Sequence, residues 1–423
     1  MRAGKADRPA RALFVASVAS MIDQFNIPNI RLLQDMGLEV DVACNFERGS
    51  TCPQEKVHQL LALLDTLGVN CYQVDFDRNT SNLMSHVKAY RQMKAILRGE
   101  KAPVGKTHHP GGDYAFVHCH SPIGGVIGRL TAWRQAGIRT IYTAHGFHFY
   151  TGGPLGSWLT FYPIEKALAH ITDTLITINE EDYERARRSF HVRNSSSGET
   201  NPLNPPRVYY VPGIGIDLQK FHPAPPDGAE GSSSDLRAAL GVGEDEVFIL
   251  SVGELIPRKD HETVIRALGQ VKGLSFKYFI CGKGPLREEL INLARQEGHE
   301  GRVRLLGFRT DISELCQAAD LFVFPSRQEG LSVALMEAIA CGTPVLCSNI
   351  RGNTDLVQDK ESLFRCGDVN GLADRLRKLI SGGREALRQT MERTVLENEE
   401  RLKKFDLKAV EAQMREIYTE ILQ

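Results

Sequence analysis

The stretch LFVFPSRQEGLSVALMEAIACGTPVLCS, residues 321–348, carries the pattern that decides the fold. It begins and ends with short β-rich runs, LFVFPS and PVLCS, and the segment between them is typical of a helix that starts near Val333. Ser332 stands where its side-chain oxygen can accept a hydrogen bond from a free N–H of the first turn. Two parallel strands joined by a helix are the repeating unit of a doubly wound α/β sheet. The sequence therefore predicts such a sheet here.

The same alternation of β-rich runs and helical patterns extends along the whole chain. The predicted strands form two series, 12–17, 39–44, 71–76, 114–119, 140–145, 174–179 and 208–213, followed by 247–253, 277–282, 303–308, 321–326 and 344–348. Continuous apolar strands separated by helices indicate parallel sheets covered on both faces. We place the junction between two domains near 212–221, and the Ser- and Pro-rich segments 194–206 and 222–234 predict surface loops.

The composition is typical of a soluble globular protein, with 42% apolar and 24% charged residues and a formal net charge of -1. Such a balance gives no overall field that attracts nucleic acid. No apolar run approaches the ~20 residues that a membrane-spanning helix needs. The nine cysteines include no CxxC pair, which favours free thiols in a reducing cytoplasm. We expect neither a metal site nor a resident cofactor.

Two glutamates, Glu329 and Glu337, flank the start of the predicted helix with seven residues between them. Free N–H groups at a helix start bind anions such as phosphate, and the helix dipole reinforces this. Carboxylates beside a phosphate accept hydrogen bonds from hydroxyl groups, which sugars and riboses supply. An ordinary surface glutamate on a helix explains the spacing of the pair equally well. The residues that would surround the phosphate are Gly330, Leu331, Ser332 and Val333.

Two further segments point towards a phosphate ligand. Arg258 and Lys259 follow the strand at 247–253, and cations at the carboxyl end of a parallel strand can neutralise a diphosphate. Such a pair in a loop is more often simply solvated. The glycines of CGKGPLREEL, 281–290, let the backbone approach a ligand closely, or they only form the turn. Because neither this segment nor 212–217 completes G-x-G-x-x-G, a dinucleotide-binding oxidoreductase is disfavoured.

Together these motifs resemble those of glycosyltransferase family 4, and in particular its bacterial exopolysaccharide and capsule branch. The motifs that carry the resemblance are Glu329-x7-Glu337, VGELIPRKDH, ICGKGPLREEL, LLGFRTDISELCQAADLFVFPS, ALMEAIACGTPV and NIRGNTDLV, with VHCHSPIGG, YTAHGFHFY and TDTLITINEED in the first half. The family has the α/β GT-B fold, two doubly wound Rossmann-like domains facing a central cleft. The resemblance implies an acceptor-binding domain at 1–212, a nucleotide-sugar-binding domain at 213–406, and a helix at 407–423 that packs back on the first domain.

The resemblance also implies roles for single residues. Glu337 should hold the ribose hydroxyls, Glu329 should contact the donor sugar, and Arg258 and Lys259 should bind the diphosphate. His120 matches a family histidine that faces the transfer site, although a structural histidine at a strand end fits the sequence equally well. The remaining donor-binding positions are Gly253, Gly282, Lys283, Gly284, Pro285, Phe308, Arg309 and the backbone at Gly330, Leu331, Ser332 and Val333. The positions on the acceptor side are His145, Phe147, Phe149 and Tyr150.

This sequence departs from the family pattern at two places. Glu254 stands where many family members have arginine, and the first loop, SVASMIDQF, lacks the paired glycines common elsewhere in the family. The first departure concerns a phosphate contact. The second concerns how the amino-terminal domain approaches the donor.

The implied activity is transfer of a sugar, with retention of configuration, from a UDP-linked hexose or N-acetylhexosamine to a lipid-linked acceptor in cell-surface polysaccharide biosynthesis. The cations and the helix start would stabilise the leaving diphosphate, which makes a divalent metal unnecessary. The aromatic-rich loop 145–163 and a basic helical face favour docking to the inner membrane surface, although a solvated helix gives the same basic pattern. That basic face consists of Lys88, Arg91, Lys94 and Arg98. The alternatives are a sugar phosphorylase or nucleotide-sugar epimerase on the same fold, or a non-catalytic nucleotide-sugar-binding protein.

Overall fold

The computed structural model describes residues 9–49, 53–79, 81–108, 113–193, 207–224, 233–271 and 273–423. The predicted loop 194–206 and most of the predicted loop 222–234 lie outside these ranges. The chain divides into two compact units, Met1–Ile214 with Lys408–Gln423, and Gly215–Leu407. In the part of the chain that the structure describes, no helix combines the length and apolar character needed to cross a membrane.

The first unit is a parallel sheet of seven strands in the order β3-β2-β1-β4-β5-β6-β7. Its strands are β1 (Arg11–Val15), β2 (Glu39–Cys44), β3 (Asn70–Gln73), β4 (Tyr114–His120), β5 (Arg139–Ala144), β6 (Thr174–Thr177) and β7 (Val208–Tyr210). Its helices are α1 (Ala19–Phe25), α2 (Ile27–Asp35), α3 (Gln54–Thr66), α4 (Leu83–Leu97), α5 (Pro122–Trp133), α6 (Leu155–Ala169) and α7 (Glu180–Ser189). Alternate strand residues enter opposite cores, Phe14 towards α1–α3 and Leu13 towards α4–α7.

The second unit is a parallel sheet of six strands in the order β10-β9-β8-β11-β12-β13. Its strands are β8 (Val247–Val252), β9 (Phe276–Cys281), β10 (Val303–Gly307), β11 (Leu321–Phe324), β12 (Val345–Ser348) and β13 (Leu363–Phe364). Its helices are α8 (Ser233–Ala239), α9 (His261–Gly269), α10 (Arg287–Gln296), α11 (Ile312–Ala318), α12 (Val333–Ala340), α13 (Asn353–Leu356), α14 (Val369–Ile380) and α15 (Gly383–Leu402). The prediction of two doubly wound parallel sheets is confirmed.

Both sheets reverse their strand order at one point, between β1 and β4 in the first and between β8 and β11 in the second. In open α/β sheets a ligand binds beyond the carboxyl ends of the strands at such a reversal. The stretch that opened the sequence analysis forms β11, α12 and β12, so its loop lies at the reversal of the second sheet.

The last helix, α16 (Leu407–Leu422), returns to the first unit. Its residues Val410, Met414, Ile417 and Ile421 enter the same core as Phe14, which gives the helix one apolar face at three- and four-residue steps. The side chain of Tyr418 on this face is also fully buried. The core under α1–α3 is therefore completed by residues from the far end of the chain.

Replacing Ile417 by alanine should destabilise the first unit by about 2–5 kcal/mol, because it removes buried methylenes and leaves a cavity. The neighbouring Glu416 is exposed, and so Glu416→Ala should change stability by less than about 0.5 kcal/mol. Chemical unfolding followed by circular dichroism, with hydrogen exchange of β1 and β4, measures both. Equal stability of the two variants would show that α16 does not contribute to this core.

Candidate active site

The loops that follow β8 and β11 are joined by hydrogen bonds at the reversal of the second sheet. The N–H of Arg327 donates to the carbonyl of Arg258, at 2.8 Å, and the Arg258 guanidinium donates to the carbonyl of Gln328, also at 2.8 Å. Arg327 also pairs with buried Asp260 at 3.0 Å, which adopts a left-handed conformation with φ 53. The short 3-10 turn Pro257–Lys259 is thereby held against the loop after β11.

The carboxylate of Glu329 accepts three hydrogen bonds through one oxygen. Lys259 donates at 2.6 Å, Arg258 at 3.0 Å and the Ser326 hydroxyl at 2.5 Å. The side chains of Glu329 and Lys259 are only 10% and 14% exposed, so these charge-assisted bonds are partly shielded from water. Two cations share this carboxylate, and the N–H donors that it leaves unused suit an anionic ligand. Glu254, the departure from the family pattern, lies 4.0 Å from Arg258 and is half-exposed.

The start of α12 has the geometry that the sequence predicted. Ser332 caps the helix and accepts a hydrogen bond of 3.2 Å from an N–H of the first turn. The preceding loop rests on the turn after β12, where a Cβ on Gly352 would come within 2.4 Å of the Gly330 carbonyl oxygen. In the same turn, Arg351 donates to the carbonyl of Glu329 at 3.3 Å. We did not assign Arg351 a role from the sequence, although it lies in one of the matching motifs, NIRGNTDLV.

Glu337 lies one turn inside α12 and is partly buried. Burial raises its pKa from the usual value to about 7, and the positive charge of Lys220 opposes that rise. Among the described residues we find no donor to its carboxylate. A buried carboxylate without donors is costly, and so hydroxyl groups of a ligand would stabilise it.

The loops after β9 and β10 extend the same edge of the sheet. A Cβ on Gly282 would lie 1.8 Å from the carbonyl oxygen of Gly253, and one on Gly284 would lie 2.4 Å from that of Leu255. Only glycine permits this contact between the loops after β8 and β9. The Gly282 N–H also donates to the carbonyl of Gly307 at 2.8 Å, which attaches the end of β10.

An exposed aromatic ring follows β10. Phe308 is 68% exposed, and the ammonium of Lys283 stands 5.8 Å from the centre of its ring. Arg309 is held by an ion pair with Asp311. The predicted donor-binding positions, which include exposed Pro285, therefore follow the carboxyl ends of four adjacent strands, β10, β9, β8 and β11.

In the first unit His120 belongs to a buried network of three histidines. Its Nδ1 lies 3.1 Å from Nε2 of His145, while His118 hydrogen-bonds to Tyr418 at 3.0 Å and to Thr143 at 2.8 Å. Burial lowers the pKa of His118 to about 3 and of His145 to about 4, and moves the pKa of His120 well below its usual value. All three rings are therefore neutral at pH 7.

This burial corrects the expectation that His120 faces a transfer site. Its side chain is 1% exposed, and the cavity beside it, of about 10 Å³, is too small for a sugar. In this structure His120 is a structural histidine at a strand end, which is the alternative that the sequence left open. Because His118 precedes it by two residues on the same strand, their side chains share one face of the sheet.

Polar groups meet where the first sheet reverses its strand order. The hydroxyls of Ser17 and Ser121 lie 2.8 Å apart, and the Ser17 hydroxyl accepts from the N–H of Gly124 at 2.9 Å. Ser121 has φ 64, a conformation that costs a residue with a side chain about 1–3 kcal/mol and recurs at functional sites. The sequence did not predict this pair, because two serines that lie 104 positions apart give no local sign that they are in contact.

The aromatic loop after β5 also differs from the expectation. Phe147 and Phe149 are 2% and 0% exposed, and their rings stack 4.8 Å apart in the core. They therefore stabilise the fold and are not available to an acceptor or to lipid. His145 belongs to the buried histidine network, whereas Tyr150 is half-buried. The carbonyl of Tyr150 accepts a hydrogen bond from the indole N–H of Trp158 at 3.2 Å.

Two doubly wound units of this topology, with cations and an acidic pair at the carboxyl edge of the second sheet, define a protein of the GT-B class. Residues 29–196 match the model of the glycosyl transferase 4-like domain, and residues 232–395 match that of glycosyl transferases group 1. The first match lies in the first unit and the second in the second unit.

Individual proteins agree with these matches. EpsD of Bacillus subtilis strain 168, classed as a glycosyltransferase, is 33% identical over 92% of this chain and 94% of its own. The UDP-Gal:α-D-GlcNAc-diphosphoundecaprenol α-1,3-galactosyltransferase of Escherichia coli is 30% identical over 71% of each chain. The structure of Anabaena HepE in complex with UDP superposes with a TM-score of 0.69 at 18% identity, covering 98% of this chain and 100% of that one. This chain belongs to glycosyltransferase family 4.

The raised pKa of Glu337 predicts a pH-dependent stability. Between pH 4.5 and 7 the folded state binds more protons at this site than the unfolded state, so stability falls as pH rises. Glu337→Gln removes this loss. The variant should match the wild type near pH 4.5 and exceed it by about 2 kcal/mol at pH 8. Urea unfolding of both proteins across this range measures the difference in their free energies of unfolding. The other titrating groups are the same in both proteins, so their contributions cancel. A difference that stays constant with pH would contradict the burial argument.

Proposed function

We propose that this protein is a retaining glycosyltransferase that transfers a hexose or N-acetylhexosamine from a UDP-linked donor to a lipid-linked saccharide. The place of action is the cytoplasmic face of the membrane, during assembly of a cell-surface polysaccharide. The observation that carries the proposal is Glu337, a partly buried carboxylate for which we find no donor among the described residues. It lies one turn inside the helix that follows the loop containing Glu329. A ribose supplies the missing hydroxyls and a diphosphate supplies the charge.

The donor is assigned along the edge of the second sheet. Glu337 accepts the ribose hydroxyls, and the exposed ring of Phe308 flanks the nucleoside together with the loop Gly282–Pro285. Arg258, Lys259 and the free N–H groups at the start of α12 bind the diphosphate. The E. coli relative takes UDP-Gal and HepE binds UDP, which supports uridine as the base.

Departure of UDP from an oxocarbenium-like sugar is the demanding step, since negative charge develops on the leaving phosphate. Arg258 and Lys259 stabilise that charge, and Glu329 holds both side chains in place before the donor arrives. This arrangement supplies the charge for which many transferases use a divalent cation. The acceptor attacks from the face that the phosphate leaves, and a phosphate oxygen takes its proton, which retains the anomeric configuration.

The acceptor is assigned to the first unit. The E. coli relative acts on a sugar attached to diphosphoundecaprenol, which supports a lipid-linked acceptor of the same kind. In this unit we assign the sugar to the strained Ser121 turn and to the half-buried Tyr150.

Transfer assays with UDP-hexoses and a polyprenyl-diphosphate-linked sugar test this function. Lys259→Ala should lower kcat at least about 100-fold, because it removes one preorganised charge from the leaving phosphate. Lys277→Ala, at the opposite end of β9, should retain activity. Because the protein cations provide the charge, EDTA should leave the wild-type rate unchanged. The product should keep the anomeric configuration of the donor in NMR spectra.

Three results would contradict this assignment. An inverted product would exclude same-face attack, and activity lost in EDTA but restored by Mg²⁺ or Mn²⁺ would refute the charge argument. Cleavage that depends on inorganic phosphate, or interconversion of the donor sugar without acceptor, would instead support the phosphorylase or epimerase alternative.

A surface formed by α4 and α6 supports the membrane location. The helices α4 and α6 flank α5 on one side of the first sheet. The exposed apolar side chains there are Leu83, Met84 and Val87 on α4, and Leu155, Leu159 and Ile164 on α6. Leu155 and Leu159 are each 80% exposed and take the role expected of the buried Phe147 and Phe149. Of the basic residues, Lys88 already pairs with Asp75 at 2.7 Å.

Binding to anionic vesicles should occur at low salt and fall as salt rises, since each Lys or Arg near the surface contributes about 1 kcal/mol. Replacing Lys88, Arg91 and Lys94 of α4, together with its C-cap Arg98, by Gln should remove the salt-sensitive part. Leu155→Ser with Leu159→Ser should remove the salt-resistant part, whereas Leu396→Ser, exposed on the second unit, should have no effect. Co-sedimentation measures all four proteins. A wild type that stays in the supernatant at low salt would contradict direct membrane binding.

A further inference from the structure

Two cysteines meet at the end of α12 that lies away from the proposed phosphate site. Cys341 caps the helix, and its sulfur lies 3.7 Å from the carbonyl oxygen of Ser313 and 3.9 Å from its hydroxyl. Ser313 and Cys316 are one turn apart on α11, so Cys316 lies on the α11 face that Cys341 contacts. Both side chains line a pocket of about 580 Å³. All eight cysteines that the structure describes are free, so this pair is reduced here.

The two thiols have different surroundings. Cys316 is fully buried on α11, whereas Cys341 is 5% exposed. Hydrogen bonds from Cys316 and Ser313 lower the pKa of the Cys341 thiol, against the opposing effects of burial and of the negative charge of Glu337. Thiolate is the reactive form of cysteine. Because Cys316 is fully buried and Cys341 is the more accessible of the two, Cys341 is the attacking thiol of the pair and Cys316 is the resolving one.

We propose that Cys341 and Cys316 form a reversible thiol-modification site, oxidised by low-molecular-weight disulfides, that lowers the affinity of the enzyme for its nucleotide. The Cys341 thiolate attacks one sulfur of the reagent, whose S–S bond breaks, giving a mixed disulfide and one free small thiolate. The Cys316 thiol then gives up its proton, and its sulfur attacks that of Cys341, which forms the protein disulfide and releases the second small thiol. The protein loses two electrons and the reagent disulfide gains them.

The link to the nucleotide runs through α12. The N–H of Cys341 donates to the carbonyl of Glu337 at 3.1 Å, and the two residues are one turn apart on the same face of the helix. A disulfide brings its sulfurs to about 2.05 Å, closer than hydrogen-bonded thiols stand. In this proposal the bond draws the end of α12 towards α11, and Glu337 moves with it. This consequence rests on the proposed ribose contact of Glu337.

Treatment of the full-length protein with oxidised glutathione tests the site. Peptide mapping by mass spectrometry should find a Cys316–Cys341 disulfide in the wild type. Cys316→Ala should stop at a glutathione adduct on Cys341, and Cys341→Ser should form neither product. Cys347→Ala, which removes another buried thiol of the second unit, should behave as the wild type. Calorimetry should show that oxidation weakens UDP binding about tenfold and that dithiothreitol restores it.

A separate result would contradict each part of the proposal. A wild type whose Cys316 and Cys341 stay reduced while other cysteines react would overturn the modification site. A disulfide that leaves UDP affinity unchanged would overturn the coupling to Glu337. If the reduced protein fails to bind UDP, the proposed function is wrong and the coupling falls with it, whereas the peptide map still decides whether the disulfide forms.

Discussion

The carboxylate of Glu329 is the group on which the candidate site depends. It accepts hydrogen bonds from Lys259, Arg258 and Ser326, and so it joins the loops after β8 and β11 at the reversal of the strand order. Without it, the two cations would repel each other, because they lie at the end of a sheet that partly shields them from water. With it, they are held side by side and oriented before any ligand binds. The glycine contacts of the next loop and the turn that contains Arg351 then rest on this centre.

Much of this architecture can be predicted from the sequence, because parallel strands in a covered sheet are continuous apolar runs. Twelve strands were found in that way, while β13 (Leu363–Phe364) escaped because two residues carry no periodicity. The helix start at Ser332 followed from capping chemistry, and it is confirmed. The contacts that organise the site could not be predicted. Arg351 and Ser17 contact their partners from loops that are distant in the sequence. The local pattern of apolar and polar residues contains no information on such pairs.

Two errors share a physical cause. The aromatic loop after β5 and His120 were expected to face ligands because their residue types are common at binding sites. Phe147 and Phe149 instead fill the core, and His120 is held neutral within a buried network. Residue type indicates what chemistry a side chain is able to perform, whereas burial decides whether it meets a ligand. The exposed leucines of α6, which the sequence analysis did not single out, illustrate the same point from the other side.

The return of α16 to the first unit has a consequence for biosynthesis. Tyr418 bonds to His118 across 300 positions of the chain, and Val410 to Ile421 complete the core under α1–α3. As the chain leaves the ribosome, the first unit must wait, with an apolar face uncovered, until the whole second unit has been translated. At about 5–20 residues per second this interval lasts many seconds. The nascent protein therefore has a window in which a chaperone competes with its own last helix for this apolar face.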